Sequence, residues 1–262
     1  MPELFLSVGR VLLLLGVVYG LLALGAHFLA MGILFPRPPV TYQLTPDYLQ
    51  LTAPDGVKLA ARHWANPSAK YTLLYVHGNY EDLGRVGEYL PQFVSAGYAA
   101  FSLDYRHYGQ SGGTPTEANA YADVQLAYDY LHSKLGVPAD RIIIFGYSIG
   151  GGPAVELALH RPAAGLVLQS VFVSAYRVMT HVRVLPGDKF VNIAKVPQLR
   201  CPVYVIHGTA DKTIPCWHGE ALYQATTARK MEFLVEGGPH VGLGDFAGTR
   251  YWEELKKFTD SL

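Results

Sequence analysis

The 262-residue chain balances 21 basic against 21 acidic side chains, so nothing in its charge points to nucleic acid or another polyanionic partner. Two cysteines do not make a disulfide framework, and the ten histidines show no His-Glu-x-x-His or paired Cys/His spacing that would hold a metal. Half of the residues are hydrophobic, and once an apolar amino-terminal stretch is set aside about 215 residues remain, which suits one α/β domain with a full core.

The amino-terminal stretch comes first. From Val11 to Phe35 there is no Asp, Glu, Lys or Arg, and about twenty-five residues at 1.5 Å each are enough to cross a hydrocarbon core of about 30 Å. Residues 1–10 then form a flank, 11–35 a single-pass membrane anchor and 36–47 a linker to a domain over 48–262. A signal peptide cleaved near Ala23-Leu24-Gly25-Ala26 and a buried globular helix are the competing readings. The second is opposed by the break at Pro36-Arg37-Pro38-Pro39. Arg10 and the amino terminus lie on one side of the span and Arg37 on the other, and the orientation adopted here places the domain on the non-cytoplasmic side.

Within the domain, Tyr48–Thr52 and Val57–Arg62 alternate in character around Ala53-Pro54-Asp55-Gly56, the pattern of an antiparallel hairpin. Strands are predicted at Tyr71–Val76, Tyr98–Leu103, Arg141–Phe145, Gly165–Leu168, Val203–Ile206 and Met231–Val235. Helices are predicted from about Glu81, from about Glu117 and after Gly150. Short apolar strands alternating with helices imply an α/β fold: a mostly parallel sheet with helices on both faces and functional loops at the carboxyl ends of its strands. Residues 171–200, with Tyr176, Val178, Met179, Val182, Val184, Leu185 and Phe190, are long enough for a small cap over a cleft or for a crossover helix.

Gly146-Tyr147-Ser148-Ile149-Gly150 follows the strand Arg141–Phe145 and opens into a helix, the setting of a nucleophile elbow in which a tight turn lifts a serine hydroxyl clear of the sheet. A hydroxyl needs an imidazole to take its proton and a carboxylate to orient that imidazole. Asp211, at the end of the strand Val203–Ile206, and His240, in the Gly/Pro-rich loop after Met231–Val235, follow Ser148 in the required order. Taken singly, Asp211 reads better as a turn cap and His240 as a solvated loop histidine; the order of all three carries the catalytic reading. An oxyanion needs two backbone donors, assigned to Asn79 in the His77-Gly78-Asn79 loop and to Ile149. His77 itself reads as a buried, hydrogen-bonded structural histidine.

These residues resemble the α/β-hydrolase superfamily of serine hydrolases. His77-Gly78-Asn79 with Asp82-Leu83-Gly84, Asp104-Tyr105-Arg106-His107-Tyr108-Gly109-Gln110-Ser111, Gly146–Gly151 and His207–Asp211 are similar to the membrane-anchored subgroup that includes protein depalmitoylases. The likeness covers residues 48–262; it departs at His107, where the subgroup carries glycine, and at Val241, where a polar residue is common. The resemblance implies a serine hydrolase that cleaves carboxylic esters or thioesters and does not name the acyl group. With the apolar stretch as its anchor the enzyme is membrane-tethered, a short cap leaves a site open to an acyl chain on a lipid or lipidated protein, and the triad needs no cofactor. A peptidase of the same fold and a non-catalytic lipid- or partner-binding scaffold are the alternatives.

Overall fold

The computed structural model describes residues 2–262, with side chains from Val8 onward. Its first element is a 33-residue helix, α1 (Pro2–Leu34), whose apolar side chains are exposed along most of its length. Eight strands follow: β1 (Tyr48–Thr52), β2 (Lys58–Trp64), β3 (Thr72–Val76), β4 (Ala99–Leu103), β5 (Ile142–Tyr147), β6 (Gly165–Gln169), β7 (Val203–Gly208) and β8 (Lys230–Val235). They form one sheet in the order β1-β2-β4-β3-β5-β6-β7-β8. β1 and β2 pair antiparallel, β2 joins β4 antiparallel, and every pairing from β4 to β8 is parallel.

The strands are apolar on both faces because each face is covered. α3 (Glu117–Ser133), α4 (Gly151–His160) and α6 (Trp217–Ala225) pack on one side, against Leu74, Val76, Ile142 and Ile144. On the other side α2 (Leu83–Ser95) and α8 (Thr249–Asp260) cover Leu73, Tyr75, Ile143 and Phe145. Neighbouring residues of a strand thus serve opposite cores, as a pleated sheet requires. The direction of winding reverses between β3 and β5, which places a crevice at the carboxyl ends of those two strands.

Two sequence expectations change. Residues 36–47 are a docked strap instead of a plain linker, and the apolar stretch ends inside the domain. Phe35 is buried edge-on against Tyr105, Tyr108 and Phe190. Thr41 donates its backbone N–H to Asp82 at 2.7 Å and its hydroxyl to the same carboxylate, while Tyr42 donates to Asp104. Gly84 belongs to this contact, since a Cβ there would collide with the Thr41 hydroxyl. The strap has no periodic apolar pattern, and its partners lie about forty to seventy residues away in sequence, so periodicity could not reveal it. Smaller shifts occur at element ends: Arg141 closes a 3-10 turn before β5, and α2 begins at Leu83 behind an Asp82 cap.

Residues 171–200 form a short crossover between β6 and β7. It holds one turn of helix, α5 (Arg177–Thr180), and 3-10 turns at Asn192–Ala194 and Val196–Gln198. Phe190 and Val196 are buried, whereas Met179, Val182 and Val184 stand in the open. The carboxyl-terminal part adds α7 (Leu243–Ala247) directly after the loop that carries His240.

Candidate active site

Ser148 sits between β5 and α4 with φ 54°, the left-handed region that a non-glycine residue occupies only under local constraint. The turn is that tight because α4 approaches β3 closely: a Cβ on Gly150 would strike the Val76 carbonyl. The strain aims the Ser148 Oγ at His240, whose Nε2 lies 3.1 Å away. His240 Nδ1 lies 2.7 Å from Asp211 Oδ2, so Nδ1–H donates to the carboxylate and Nε2 is left to accept from the serine hydroxyl. The structure therefore brings together the three side chains expected from three separate strand ends.

Asp211 is held from several directions. Its Oδ1 accepts the N–H groups of Thr213 at 2.9 Å and Ile214 at 2.7 Å, and His207 Nε2 comes within 3.3 Å of Oδ2. Burial acts to raise its pKa, but the His207 and His240 side chains and the Ile214 N–H outweigh it and hold the carboxyl well below its ordinary range. Asp211 is thus held in its ionised form.

The loop after β3 forms the opposite wall. The Asn79 N–H makes no backbone hydrogen bond among the described residues, and the Ile149 N–H lies in the first turn of a helix, where such donors lack intrahelical partners. The loop is braced from behind by Tyr105, which donates to the His77 carbonyl at 2.8 Å, and by Tyr108, which donates to the Asn79 carbonyl at 3.0 Å. From the front, Glu81 Oε2 accepts the Gly78 N–H at 2.8 Å. Burial raises the Glu81 pKa, opposed by that N–H and by the Tyr89 hydroxyl. His107 makes the turn behind Tyr108 with φ 73°, the conformation that glycine supplies in the subgroup this sequence resembles.

A cleft of about 480 Å³ opens over Ser148 and His240, lined also by Asn79, Tyr80, Tyr147 and Thr213. A second hollow of about 290 Å³ continues it past Glu81, Tyr89 and Val241 toward Tyr251 and Trp252. Another hollow, about 760 Å³, is at the other end of the sheet beside Arg161, Arg200 and Cys201. Burial pushes its Cys201 thiol up to about 11, away from a reactive thiolate.

Three contributors have no role in the sequence analysis: His207, Glu81 and Tyr147, whose hydroxyl donates to the His240 carbonyl at 3.1 Å. His207 was visible in the string His207-Gly208-Thr209-Ala210-Asp211, four residues before the acid. His77 is fully buried with Nδ1 2.7 Å from the Gly78 carbonyl, and burial lowers its pKa to about 4. Chemically, the arrangement can remove the Ser148 proton as its oxygen attacks a carbonyl carbon and can face the resulting oxyanion with backbone donors.

Residues 67–185 match the family model described as serine aminopeptidase, S33. The alpha/beta hydrolase domain-containing protein aho-3 of Caenorhabditis elegans is 38% identical over 205 residues, which cover 74% of this chain and 59% of that protein. Human alpha/beta hydrolase domain-containing protein 17B is 37% identical over 199 residues, covering 74% of this chain and 67% of its own length. The aligned part thus spans about three-fifths to two-thirds of these relatives. Among solved structures, the Pyrococcus furiosus esterase Pf2001 superposes with a TM-score of 0.70 at 18% identity over 86% of this chain and 98% of its own. The Rhodococcus esterase RhEst1 gives 0.64 at 20% identity over 82% and 99%. At such identities the two esterases speak for the fold alone.

Proposed function

The chain belongs to the α/β-hydrolase family, and on that premise we propose that it is a membrane-tethered serine hydrolase cleaving carboxylic esters or thioesters. The observation that carries this reading is the unbroken line from Ser148 Oγ through the His240 imidazole to Asp211, opening on a cleft. Ser148 Oγ attacks the acyl carbon while His240 Nε2 takes its proton, and the N–H groups of Asn79 and Ile149 receive the oxyanion. His240 returns the proton to the leaving alcohol or thiol as the carbonyl re-forms on the acyl-enzyme. Water, deprotonated by the same imidazole, then releases the acid and restores the serine. Every proton moves through His240.

The tether rests on α1, of which Val8–Leu34 has a mean hydropathy of 2.2. Residues 1–10 are the flank and 11–35 the anchor in this reading. The strap over 36–47 and the domain over 48–262 lie on the non-cytoplasmic side. An acyl chain on a lipid or a lipidated protein suits a cleft whose crossover, 171–200, leaves the rim open. The name of the matching family model, a serine aminopeptidase, favours one second reading, peptide cleavage by the same groups. Labelling the purified full-length protein with a fluorophosphonate, followed by turnover measurements on esters of graded chain length, acyl thioesters and amino-terminal peptides, tests both. Label on Ser148 with ester or thioester turnover supports the proposal. No label refutes serine chemistry, and faster turnover of peptides replaces the substrate class.

A further inference from the structure

α1 is too long for the job assigned to it. Its 33 residues extend about 50 Å against a hydrocarbon core of about 30 Å, so roughly two-fifths must lie beyond the bilayer or be covered by something else. Its last turns dock on the domain, with Ala30 and Phe35 buried and Met31 and Leu34 against the core. The outer side of the same turns still exposes Phe28, Leu29 and Ile33. The domain is therefore pressed against one side of an apolar helix whose other side needs lipid.

The crossover meets α1 lower down. Tyr176 donates its hydroxyl to the Ala26 carbonyl at 3.3 Å, and Tyr19 donates to the Val184 carbonyl at 2.8 Å. Beside these contacts, Met179, Val182 and Val184 are 82%, 59% and 48% exposed. From these contacts we propose that the crossover tip, Met179–Val184, is immersed in the lipid bilayer alongside α1. This rests on the reading of α1 as a membrane span.

The depth is consistent with that. On the anchor over 11–35, Ala26 lies nine residues, about 14 Å, and Tyr19 sixteen residues, about 24 Å, from the end that enters the domain, so both contacts fall within the anchor. The Val184 carbonyl on Tyr19 is then held inside the span. Loop carbonyls at such a depth have no water and need a protein donor. Both exposed valines have one: Val184 accepts from Tyr19, and Val182 accepts the Thr180 hydroxyl at 2.7 Å. The crossover is also braced on the first residue of α6. Arg177 lies over the Trp217 ring at 5.4 Å and His181 packs on it at 6.3 Å, and Trp217 is four residues from Thr213 of the cleft. Immersion of the tip therefore sets the height of the Ser148 cleft above the leaflet that holds the acyl chain.

The test uses full-length protein carrying Cys201→Ser and Cys216→Ser, reconstituted in phosphatidylcholine vesicles with brominated acyl chains. An environment-sensitive fluorophore is attached in turn to Val182→Cys, to Val17→Cys in the span and to Lys134→Cys at the far end of α3. Quenching by the brominated lipid at positions 17 and 182 but not at 134 supports the proposal. Quenching at 17 with position 182 open to aqueous iodide overturns it and leaves the span intact. No quenching at 17 overturns the span reading and the proposal with it. In unbrominated vesicles, Val182→Asp with Val184→Asp is expected to lower turnover of a bilayer-resident acyl substrate by about tenfold, with a water-soluble ester cleaved at the parent rate. Equal rates on both substrates also overturn it.

Discussion

Two histidine–aspartate pairs stand at the carboxyl ends of this sheet, and their carboxyl groups are held there in opposite electrical states. After β7 and β8, Asp211 receives two backbone N–H groups and faces two imidazoles, so it is kept ionised, and His240 is left with one nitrogen turned to Ser148. After β3 and β4, His77 Nε2 is 3.6 Å from Asp104 Oδ1, too far for a hydrogen bond, and both side chains are shut away from water. Burial there pushes Asp104 up to about 7 and His77 down to about 4. The first pair can pass a proton to a reacting group; the second is a packed prop beneath the Asn79 loop. What separates them is access to the cleft and the number of donors on the carboxylate, neither of which a list of residue types contains.

The largest expected effect breaks the first pair. Ser148→Ala or His240→Ala should lower kcat on a short ester by about four to six orders of magnitude, and Asp211→Asn by about four, with thermal unfolding nearly unchanged. A tenth of parental activity in either alanine variant would defeat the assignment. Because Asp211 is held low, activity lost on acidification should follow one ionisation, that of the imidazole. A second inflection in kcat/KM above the ordinary carboxylate value of about 3.9 would contradict the donor count around Asp211. The next effect belongs to the other pair: Phe35→Ala empties a site walled by Tyr105, Tyr108 and Phe190 and should cost about 3–5 kcal/mol of stability, measured by denaturant unfolding. A cost below about 1 kcal/mol would mean that the strap is not part of the fold.

The two regions were unequally legible. Ser148, Asp211 and His240 each follow an apolar strand, and strands followed by glycine-rich turns announce themselves locally, so their order along the chain pointed to the three side chains that the structure brings into contact. The expectation for Asn79 and Ile149 came from the same turns. The props of the second region are held by contacts that reach far along the chain: Thr41 to Asp82, Tyr42 to Asp104, Phe35 to Phe190. Nothing near residue 40 announces its partner, and Gly84 reads as an ordinary helix-start glycine until Thr41 is seen packed on it. His207 was missed for another reason: its motif was legible and its ring direction was not.

That ring gives a mid-sized prediction. His207 Nε2 is 2.8 Å from the Ile214 carbonyl, so this nitrogen carries the proton and also leans on Asp211 Oδ2. Its Nδ1 is buried and has no partner among the described residues. His207 is thus a positioning residue for the first pair. His207→Asn should lower kcat by about tenfold with KM kept, the magnitude of a lost hydrogen bond to a charged group. It should also move the inflection in kcat/KM to higher pH, because a carboxylate with one donor fewer attracts a protonated imidazole more strongly. An unchanged pH profile with only a lowered Tm would reduce His207 to packing.

The smallest effect sharpens the comparison by titrating the buried pair. Asp104 has a folded value of about 7, above the unfolded carboxylate, so its stabilisation is complete below about 3.9 and is lost as pH rises toward 7. His77 has a folded value of about 4, below the unfolded imidazole, so its stabilisation is complete above about 6.5 and is lost as pH falls toward 4. Over the shared window the native state keeps a proton at Asp104 that the unfolded chain has released and lacks one at His77 that the unfolded chain has bound. The two slopes have opposite signs and largely cancel. Removing one member should expose the other: relative to the parent, the Tm of Asp104→Asn should climb between about pH 4 and 6.5, and that of His77→Gln should decline over the same range. Calorimetric scans of both variants beside the parent measure this directly. Parallel curves for all three would mean that Asp104 and His77 titrate as ordinary side chains, and the contrast between the two pairs would then rest on cleft access alone.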